Sequence, residues 1–257
     1  MSSPKGGVGK SVIAINLATA LQSMGYNVLI IDLDLINPCV GLYMGIQDTN
    51  LGFLDVVKKR ADLKRSIVPH APTGVRVLPG RLYANIFTIK DFSPTAKQLR
   101  DFFLKVLKLS YDFVIVDTQP GIAYPLPLDL YSEAMLVALP YKSSCIAAVK
   151  MEDRYGKVGL KCSLVVNRVR DKKFELSDRE IEEMVETPVS VALPEDDKVQ
   201  EGVAEGVPVE LLNRRAPFSR GIMELARMYA TRVSRPERRN VTETGGGLLD
   251  RLKRRRA

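Results

Sequence analysis

The chain has 257 residues, 46% of them apolar, and a formal net charge of +8 at pH 7. A chain of this size can bury one sizeable core without splitting into two domains. Its three cysteines form no C-x-x-C pair, which argues against a disulfide framework and against a zinc or iron–sulfur site. There is no secretory signal and no apolar run of the roughly 18 to 20 residues that span a bilayer, so we expect a cytoplasmic protein.

A glycine-rich loop follows the first three residues. It reads Pro-Lys-Gly-Gly-Val-Gly-Lys-Ser over residues 4–11 and leads into an apolar pattern of helical spacing. The three glycines allow backbone N–H groups to turn inward, which forms a nest for phosphate oxygens at a helix N-terminus. In such a loop Lys10 reaches the β- and γ-phosphates of a nucleotide and Ser11 ligates Mg²⁺. The usual pattern begins with glycine, where this chain has Pro4.

The segment ahead of the loop is unusually short. A phosphate loop normally follows a buried strand, and three residues are fewer than such a strand needs. We consider two alternatives, a truncated start and a vestigial strand.

Two carboxylates follow the next strand pattern. Residues 27–31 form an apolar, β-branched run between Gly25 and Asp32, which predicts a buried parallel strand. Asp32 and Asp34 stand at its end. Because ligands gather at the carboxyl ends of strands in open α/β sheets, we expect both side chains to face the phosphate loop.

A second strand pattern, residues 111–117, also ends in an acid. Asp117 at the end of this apolar run is placed to hold the water shell of Mg²⁺. Further strand patterns cover residues 134–139, 162–166 and 189–193, with helical patterns between them. This alternation predicts an α/β fold with a mostly parallel, doubly wound sheet and helices on both faces.

Together these motifs resemble those of the MinD/ParA family of P-loop ATPases, and they favour its MinD branch. The loop at residues 5–11 resembles the family's deviant Walker A motif, residues 32–34 its D-x-D box and the strand ending at Asp117 its Walker B motif. Residues 167–168 resemble its adenine-contacting position, and residues 194–196 resemble its Pro-Glu-Asp loop near the base. The resemblance covers roughly residues 4–233.

The resemblance implies a P-loop NTPase fold that binds ATP and Mg²⁺ and hydrolyses the ATP slowly. It implies that Lys5 crosses a dimer interface to the partner's phosphate, that Asp34 positions or activates the attacking water, and that Asp32 acts through the Mg²⁺ shell. The expected catalytic residues are Lys5, Lys10 and Asp34, and the expected metal site consists of Ser11, Asp32 and Asp117. The expected nucleotide-binding residues are Lys5, Gly6, Gly7, Val8, Gly9, Lys10, Ser11, Val12, Asn167, Arg168, Pro194, Glu195 and Asp196. Val12 stands where the family usually has Thr or Ser, a loss of one hydrogen bond worth about 1 kcal/mol.

Basic charge is concentrated at the C-terminal end of the chain. Residues 232–257 carry nine basic and three acidic residues. Following an ATPase domain of residues 1–233, residues 234–247 have the composition of a flexible linker. Residues 248–257 form a basic amphipathic tail, with Leu248, Leu249 and Leu252 on one side of a helix. The tail resembles the membrane-targeting helix of MinD; the alternatives are a disordered solubilising end and a tail that binds DNA phosphates.

The resulting hypothesis is an ATP-dependent, dimerising switch ATPase of the MinD type. Its homodimer would bind the inner face of the cell membrane in the ATP state and leave it after hydrolysis stimulated by an unidentified protein partner. It would thereby position a structure such as the division site. The alternative is a ParA-like partition ATPase that binds nucleic acid non-specifically, which we consider less well supported. A third possibility is a nucleotide-binding scaffold with little hydrolysis.

Overall fold

The computed structural model describes residues 1–3, 5–46, 50–81, 93–121 and 125–233. The expected linker and tail, with Leu248, Leu249 and Leu252, lie outside the described residues, as does Pro4. Within the described part of the chain, no helix is both long and apolar enough to cross a membrane.

The strands form two hydrogen-bonded groups. Among the described residues they are β1 (Val28–Asp32), β2 (Val68–Pro69), β3 (Arg76–Leu78), β4 (Phe113–Asp117), β5 (Ala134–Ala138), β6 (Cys162–Val169) and β7 (Val189–Pro194). The first group has the order β2-β3-β1-β4 and the second the order β5-β6-β7. All pairings are parallel except that of β2 with β3, so the expected mostly parallel sheet is confirmed.

Residues 1–3 lie between the two groups and connect them. Ser2 forms an isolated parallel bridge with Leu136 of β5. On the other side, the α-amine of Met1 donates to the carbonyl oxygen of Val116 in β4 at 2.7 Å. The segment ahead of the phosphate loop is therefore a short bridge at the centre of one larger sheet.

Helices cover both faces of this sheet. They are α1 (Lys10–Ser23), α2 (Val40–Tyr43), α3 (Phe53–Val57), α4 (Leu63–Ser66), α5 (Ala96–Val106), α6 (Lys142–Gly156), α7 (Asp178–Val185), α8 (Asp197–Glu205), α9 (Val209–Leu212) and α10 (Pro217–Ala230). Helices α1 and α10 share one apolar core, α3 and α5 share a second, and α6 and α7 share a third.

The alternation of side chains along β1 explains why helices pack on both faces. All five residues of β1 are buried. Val28 and Ile30 join the core of α1 and α10, whereas Leu29 and Ile31 join the core of α3 and α5. A strand that is apolar at every position needs cover on both sides, and burial of each side chain contributes about 1.5 to 3 kcal/mol. The predicted doubly wound fold is thus confirmed.

One long helix has no counterpart in our sequence interpretation. Helix α10 packs against α1 and β7. Its buried residues Phe218, Ile222, Leu225 and Ala226 recur at helical spacing. The signal was therefore present in the sequence, but it lies beyond the last strand pattern.

Candidate functional site

The phosphate loop turns directly into α1. Gly7 and Gly9 have φ angles of 74° and 98°, in the left-handed region that glycine adopts without strain. Gly9 is also the N-cap of α1, and a Cβ atom added there would lie 2.3 Å from Nδ2 of Asn167. Position 9 therefore requires glycine for its backbone angle and for space. The free N–H groups at the start of α1 favour a bound anion.

Two buried carboxylates lie side by side at the same edge of the sheet. Asp32 and Asp117 end β1 and β4 and are paired in register. Burial raises the pKa of both carboxyls, and the charge of Asp117 raises that of Asp32 further. Lys10 is 6% exposed; burial lowers its pKa, while the charges of Asp117 and Asp34 raise it. The lysine of the loop is therefore held among the acidic residues that the sequence assigns to the site.

The carboxylate of Asp117 has spare binding capacity. Its Oδ1 atom is buried and has no hydrogen-bond partner among the described residues. The hydroxyl of Ser11 interacts with the same carboxylate and opposes the rise that burial causes in its pKa. A buried oxygen without a partner is costly, and oxygen ligands are those that Mg²⁺ and its bound waters prefer. Ser11 and Asp117 thus fit the expected magnesium site.

Asp32 and Asp34 organise the loop that follows β1. Oδ1 of Asp32 accepts the N–H of Asp34 at 3.0 Å and its Oδ2 accepts that of Val40 at 3.1 Å. Oδ1 of Asp34 accepts the N–H groups of Ile36 and Asn37 at 3.0 and 2.8 Å. Asp32 therefore ties this loop to the start of α2. The second oxygen of the half-buried Asp34 bonds to no described residue.

Lys5 contacts a distant helix. Its Nζ atom donates to Oγ of Ser143 in the first turn of α6 at 2.9 Å, and both residues are exposed. The contact leaves the Lys5 ammonium at the protein surface, where a second subunit could reach it. Its action across a dimer interface stays a prediction.

A cavity of about 160 Å³ lies beside the phosphate loop. Seven of the residues expected to bind nucleotide line it: Gly9, Val12, Asn167, Arg168, Pro194, Glu195 and Asp196. Val199, Gln200 and Phe218 also line it, and our sequence interpretation missed them. The ends of β6 and β7 and the start of α1 thus form a single pocket, which has the position expected for a nucleotide base.

Asn167 ties this pocket to the loop. Its Nδ2 atom donates to the carbonyl oxygen of the buried Val8 at 2.7 Å. The side chain that the sequence assigns to the base therefore also holds the shape of the phosphate loop. Arg168 follows with a φ angle of 59°, a left-handed conformation that is uncommon for a non-glycine residue.

Asp196 has a mainly structural role in this structure. Its Oδ1 accepts the N–H of Lys198 at 3.0 Å and its Oδ2 accepts that of Phe218 at 3.2 Å. One carboxylate thus caps α8 and holds the start of α10. Glu195 pairs with Arg170, a residue that our sequence interpretation missed; its Oε1 accepts Nη2 at 2.8 Å. This hydrogen bond lowers the pKa of Glu195.

Gly80 is a further residue near the site that our sequence interpretation did not assign to it. A Cβ atom added there would lie 2.4 Å from Cβ of Pro38 and 3.1 Å from the carbonyl oxygen of Asp34. The end of β3 therefore lies directly against the loop that carries Asp34. A Pro-Gly pair after a strand signals a turn, but no local pattern reveals which loop it contacts.

Comparison with known proteins agrees with this geometry. Residues 1–209 match the model of the CobQ/CobB/MinD/ParA nucleotide binding domain. The chain belongs to this family. An uncharacterized ATP-binding protein of Methanocaldococcus jannaschii is 30% identical over 229 residues, which cover 88% of this chain and 84% of the relative. The septum site-determining protein MinD of Thermotoga maritima is 25% identical over 264 residues, 98% of this chain and 94% of the relative.

The solved structures support the same family. MinD of Pyrococcus horikoshii, complexed with Mg-ADP, superimposes with a TM-score of 0.78 at 26% identity, covering 89% of this chain and 93% of the other. The resemblance to the MinD branch is therefore confirmed, and the chain is a MinD/ParA-like ATPase.

Proposed function

We propose that the protein is an ATP-driven switch of the MinD type that dimerises with ATP bound, binds the inner face of the cell membrane in that state and leaves it after slow hydrolysis. The observation that carries this proposal is the hydrogen bonding of Asp32, which lies beside Asp117 at the phosphate site and holds the loop bearing Asp34. A change at the phosphates can therefore reach a surface loop through one buried side chain.

We assign the site residues separate roles in phosphate binding, magnesium binding and hydrolysis. Lys10 and the N–H groups at the start of α1 bind the phosphates. Ser11 and Asp117 would hold Mg²⁺, which when bound neutralises charge on the phosphate oxygens. Asp34 has an oxygen without a described partner, and we assign it the orientation of the attacking water.

The basic tail is the proposed membrane anchor, with residues 1–233 as the ATPase domain and residues 234–247 as the linker. Three leucines contribute at most about 1.5 to 3 kcal/mol each, and each cation near an anionic surface about 1 kcal/mol. Ordering the tail costs about 1 kcal/mol per residue, so a single tail is a weak anchor. Two tails on one dimer bind far more tightly through effective concentration. An activating protein partner would control hydrolysis and hence release.

Co-sedimentation with anionic vesicles tests the membrane switch. We expect tighter binding with ATP than with ADP, since only the dimer presents two tails. Replacing Leu248, Leu249 and Leu252 with Glu should abolish binding, because it removes the apolar side of the tail. The matched control replaces Val241, Thr242 and Thr244 in the linker with Glu, which adds the same charge and keeps the leucines; it should weaken binding only in part.

The same assay with duplex DNA tests the ParA-like alternative. Binding to DNA but not to vesicles, or equal vesicle binding in both nucleotide states, would overturn the membrane proposal. DNA binding that survives the leucine changes would favour a partition ATPase.

A separate prediction concerns dimerisation. Lys5→Ala should leave nucleotide binding by the monomer unchanged, because Lys5 contacts α6 and not the buried carboxylates. The variant should remain monomeric with ATP in analytical ultracentrifugation. Lys142→Ala removes an exposed lysine beside Ser143 and is the matched control, which should still dimerise. An ATP-dependent dimer of Lys5→Ala would contradict the role assigned to Lys5.

A further inference from the structure

Helix α5 exposes two leucines next to two lysines. Leu104 is 41% exposed, and Leu107, which directly follows the helix, is 57% exposed. They are three positions apart and are therefore neighbours on one side of the helix. Lys105 and Lys108 are also exposed, and neither forms an ion pair with a described carboxylate. Isolated exposed leucines are common, but these four residues, here called the α5 surface, combine apolar and basic side chains within about one helical turn.

The α5 surface cannot turn inward, because the opposite side of the helix is fixed in the core. Leu99, Phe102, Phe103 and Val106 are buried. The ring of Phe102 packs edge-on against the rings of Phe53 and Phe103, with centroids 5.1 and 5.0 Å apart. The two exposed leucines are therefore available to a partner outside the protein.

The α5 surface lies at the same edge of the sheet as the end of α10. The hydroxyl of Tyr26 donates to the carbonyl oxygen of Ala230 at 3.1 Å, and Nδ2 of the next residue, Asn27, donates to that of Ser110 at 2.8 Å. Ser110 follows α5 by only a few residues, so the two helix ends are close together. The described chain ends at Val233, just past α10. A flexible coil with the length of the proposed linker spans on the order of 20 Å, so a tail bound to a membrane would keep this edge close to the lipid.

The charge around the α5 surface favours an anionic partner. Residues 96–108 carry four basic residues and one acidic residue, and among the described residues only Arg100 of these is paired, with Asp129 at 2.7 Å. The basic tail, or the same surface of a second copy, would bring like charges together. Nucleic acid would pair with the lysines but leave the leucines exposed to water. An anionic lipid surface accommodates both, because leucines enter the acyl boundary while lysine side chains extend to the headgroups.

Helix α7 limits such a contact to the end of α5. Tyr131 packs against the core of α3 and α5 and also against that of α6 and α7, so these helices cover the same side of the sheet. Helix α7 carries four acidic residues and one basic residue, and an anionic surface repels it. The edge that holds the end of α5 would therefore approach such a surface first.

We propose that the α5 surface is a second membrane contact, made by the body of the protein beside the tail on an anionic lipid surface. The inference rests on the membrane binding proposed above, but it does not require the dimer. The contact gives the bound protein one orientation. Because the α5 surface lies at the N-terminal edge of the sheet and the phosphate loop at the carboxyl edge, the nucleotide site faces away from the membrane.

A single tryptophan tests the contact directly. The sequence contains no tryptophan, so Leu107→Trp gives the full chain one fluorescent indole at the α5 surface. With ATP and vesicles of phosphatidylglycerol and phosphatidylcholine, its emission should shift to shorter wavelengths, and bromine-labelled acyl chains should quench about half of it. Phe174→Trp is the matched control, since Phe174 is 70% exposed in the loop after β6, at the opposite edge. Its emission should not be quenched.

A binding measurement supports the fluorescence test. Leu104→Gln combined with Leu107→Gln leaves every charge and the tail unchanged. Vesicle binding with ATP should weaken at least about tenfold, while the melting temperature stays close to that of the parent because both side chains are exposed. Phe174→Gln removes an exposed apolar side chain elsewhere and should bind within about twofold of the parent.

The outcomes separate this contact from the tail. Normal vesicle binding by the parent, with unquenched emission from Leu107→Trp or equal quenching in the Phe174→Trp control, would overturn the α5 contact and leave the tail proposal standing. Unchanged binding by the double glutamine variant would also overturn the α5 contact. If the parent binds vesicles in no nucleotide state, both proposals fail. An emission shift with duplex DNA but not with vesicles would assign the surface to nucleic acid instead.

Discussion

Asp34 differs from the other two site aspartates in exposure and in its contacts. Asp32 and Asp117 are buried beside each other, while Asp34 is half-buried and shapes a surface loop through one oxygen. Two of these carboxylates can therefore organise the site, while the third remains accessible to water. The separate roles assigned to these aspartates from the sequence stay predictions.

Asp34→Asn tests the role of the negative charge at position 34 while it preserves the hydrogen bonds that shape the loop. The Asn side chain keeps an oxygen for the two loop N–H groups but lacks the negative charge. We expect kcat to fall about 100-fold, with ATP affinity within about twofold of the parent. Lys10→Ala should instead lose ATP binding, because it removes the cation from the phosphate nest. Steady-state hydrolysis and equilibrium nucleotide binding are the measurements; hydrolysis by Asp34→Asn at the parent rate would refute its catalytic role.

Gly80→Ala should disturb the same loop from the other side. The added methyl group would lie 2.4 Å from Cβ of Pro38, so the loop must move, at a cost of about 1 to 3 kcal/mol. We expect a lower melting temperature than that of the parent. The fractional loss of ATP hydrolysis should be larger than that of the Gly156→Ala control, because the displaced loop carries Asp34. Gly156→Ala is the matched control, since its nearest contact would be 3.6 Å from Glu152. Similar effects of both substitutions on hydrolysis would show that contact with the loop is unimportant.

At the scale of elements, the sequence predicted the features that depend on short stretches of neighbouring residues. Buried strands read as continuous apolar runs, so β1, β4 and β5 lie within two residues of their predicted bounds. The contacts between elements were not accessible in this way. Ser143 is 138 residues from its partner Lys5, and neither residue type signals the pairing. The sequence therefore predicts which residues reach the edge of the sheet, but not which side chains hold them there.

The carboxylate of Asp196 accepts hydrogen bonds at the starts of two helices, and this should contribute measurably to the free energy of unfolding. Asp196→Ala removes hydrogen bonds at the starts of α8 and α10, at about 1 to 2 kcal/mol for each helix. Glu195→Ala breaks only an exposed ion pair with Arg170 and should cost less than about 1 kcal/mol. Urea unfolding of both variants measures the difference. If Asp196→Ala proves as stable as Glu195→Ala while nucleotide binding is lost, Asp196 serves the ligand rather than the helices.

At the scale of the whole molecule, a buried acid couples stability to pH. Burial raises the pKa of Glu210 to about 7 from an ordinary value of 4.5, although Ser219 and Arg214 oppose the shift. Between these values the folded chain holds a proton that the unfolded chain has released. The free energy of unfolding contributed by this group is therefore fully present below about pH 4.5 and falls as the pH rises through about 7.

Glu210→Gln should remove this dependence. Between about pH 5 and about pH 7.5, its free energy of unfolding should fall by roughly 2 kcal/mol less than that of the parent. Asp32 and Asp117 also have raised pKa values, but they titrate in both proteins and cancel in the comparison. Urea titrations across this pH range provide the measurement, and parallel curves for the two proteins would exclude Glu210 as the source.

The hydrogen bond between Asn167 and the phosphate loop has a consequence for how the chain assembles. The Val8 carbonyl and the Asn167 amide are separated by 159 residues, and Ser2 and Met1 find their partners in strands that are synthesised much later. Contacts of such long range form late, because closing a large loop must precede them. The nucleotide site therefore matures only after β6 has been made, and nascent chains that end earlier lack a complete binding loop.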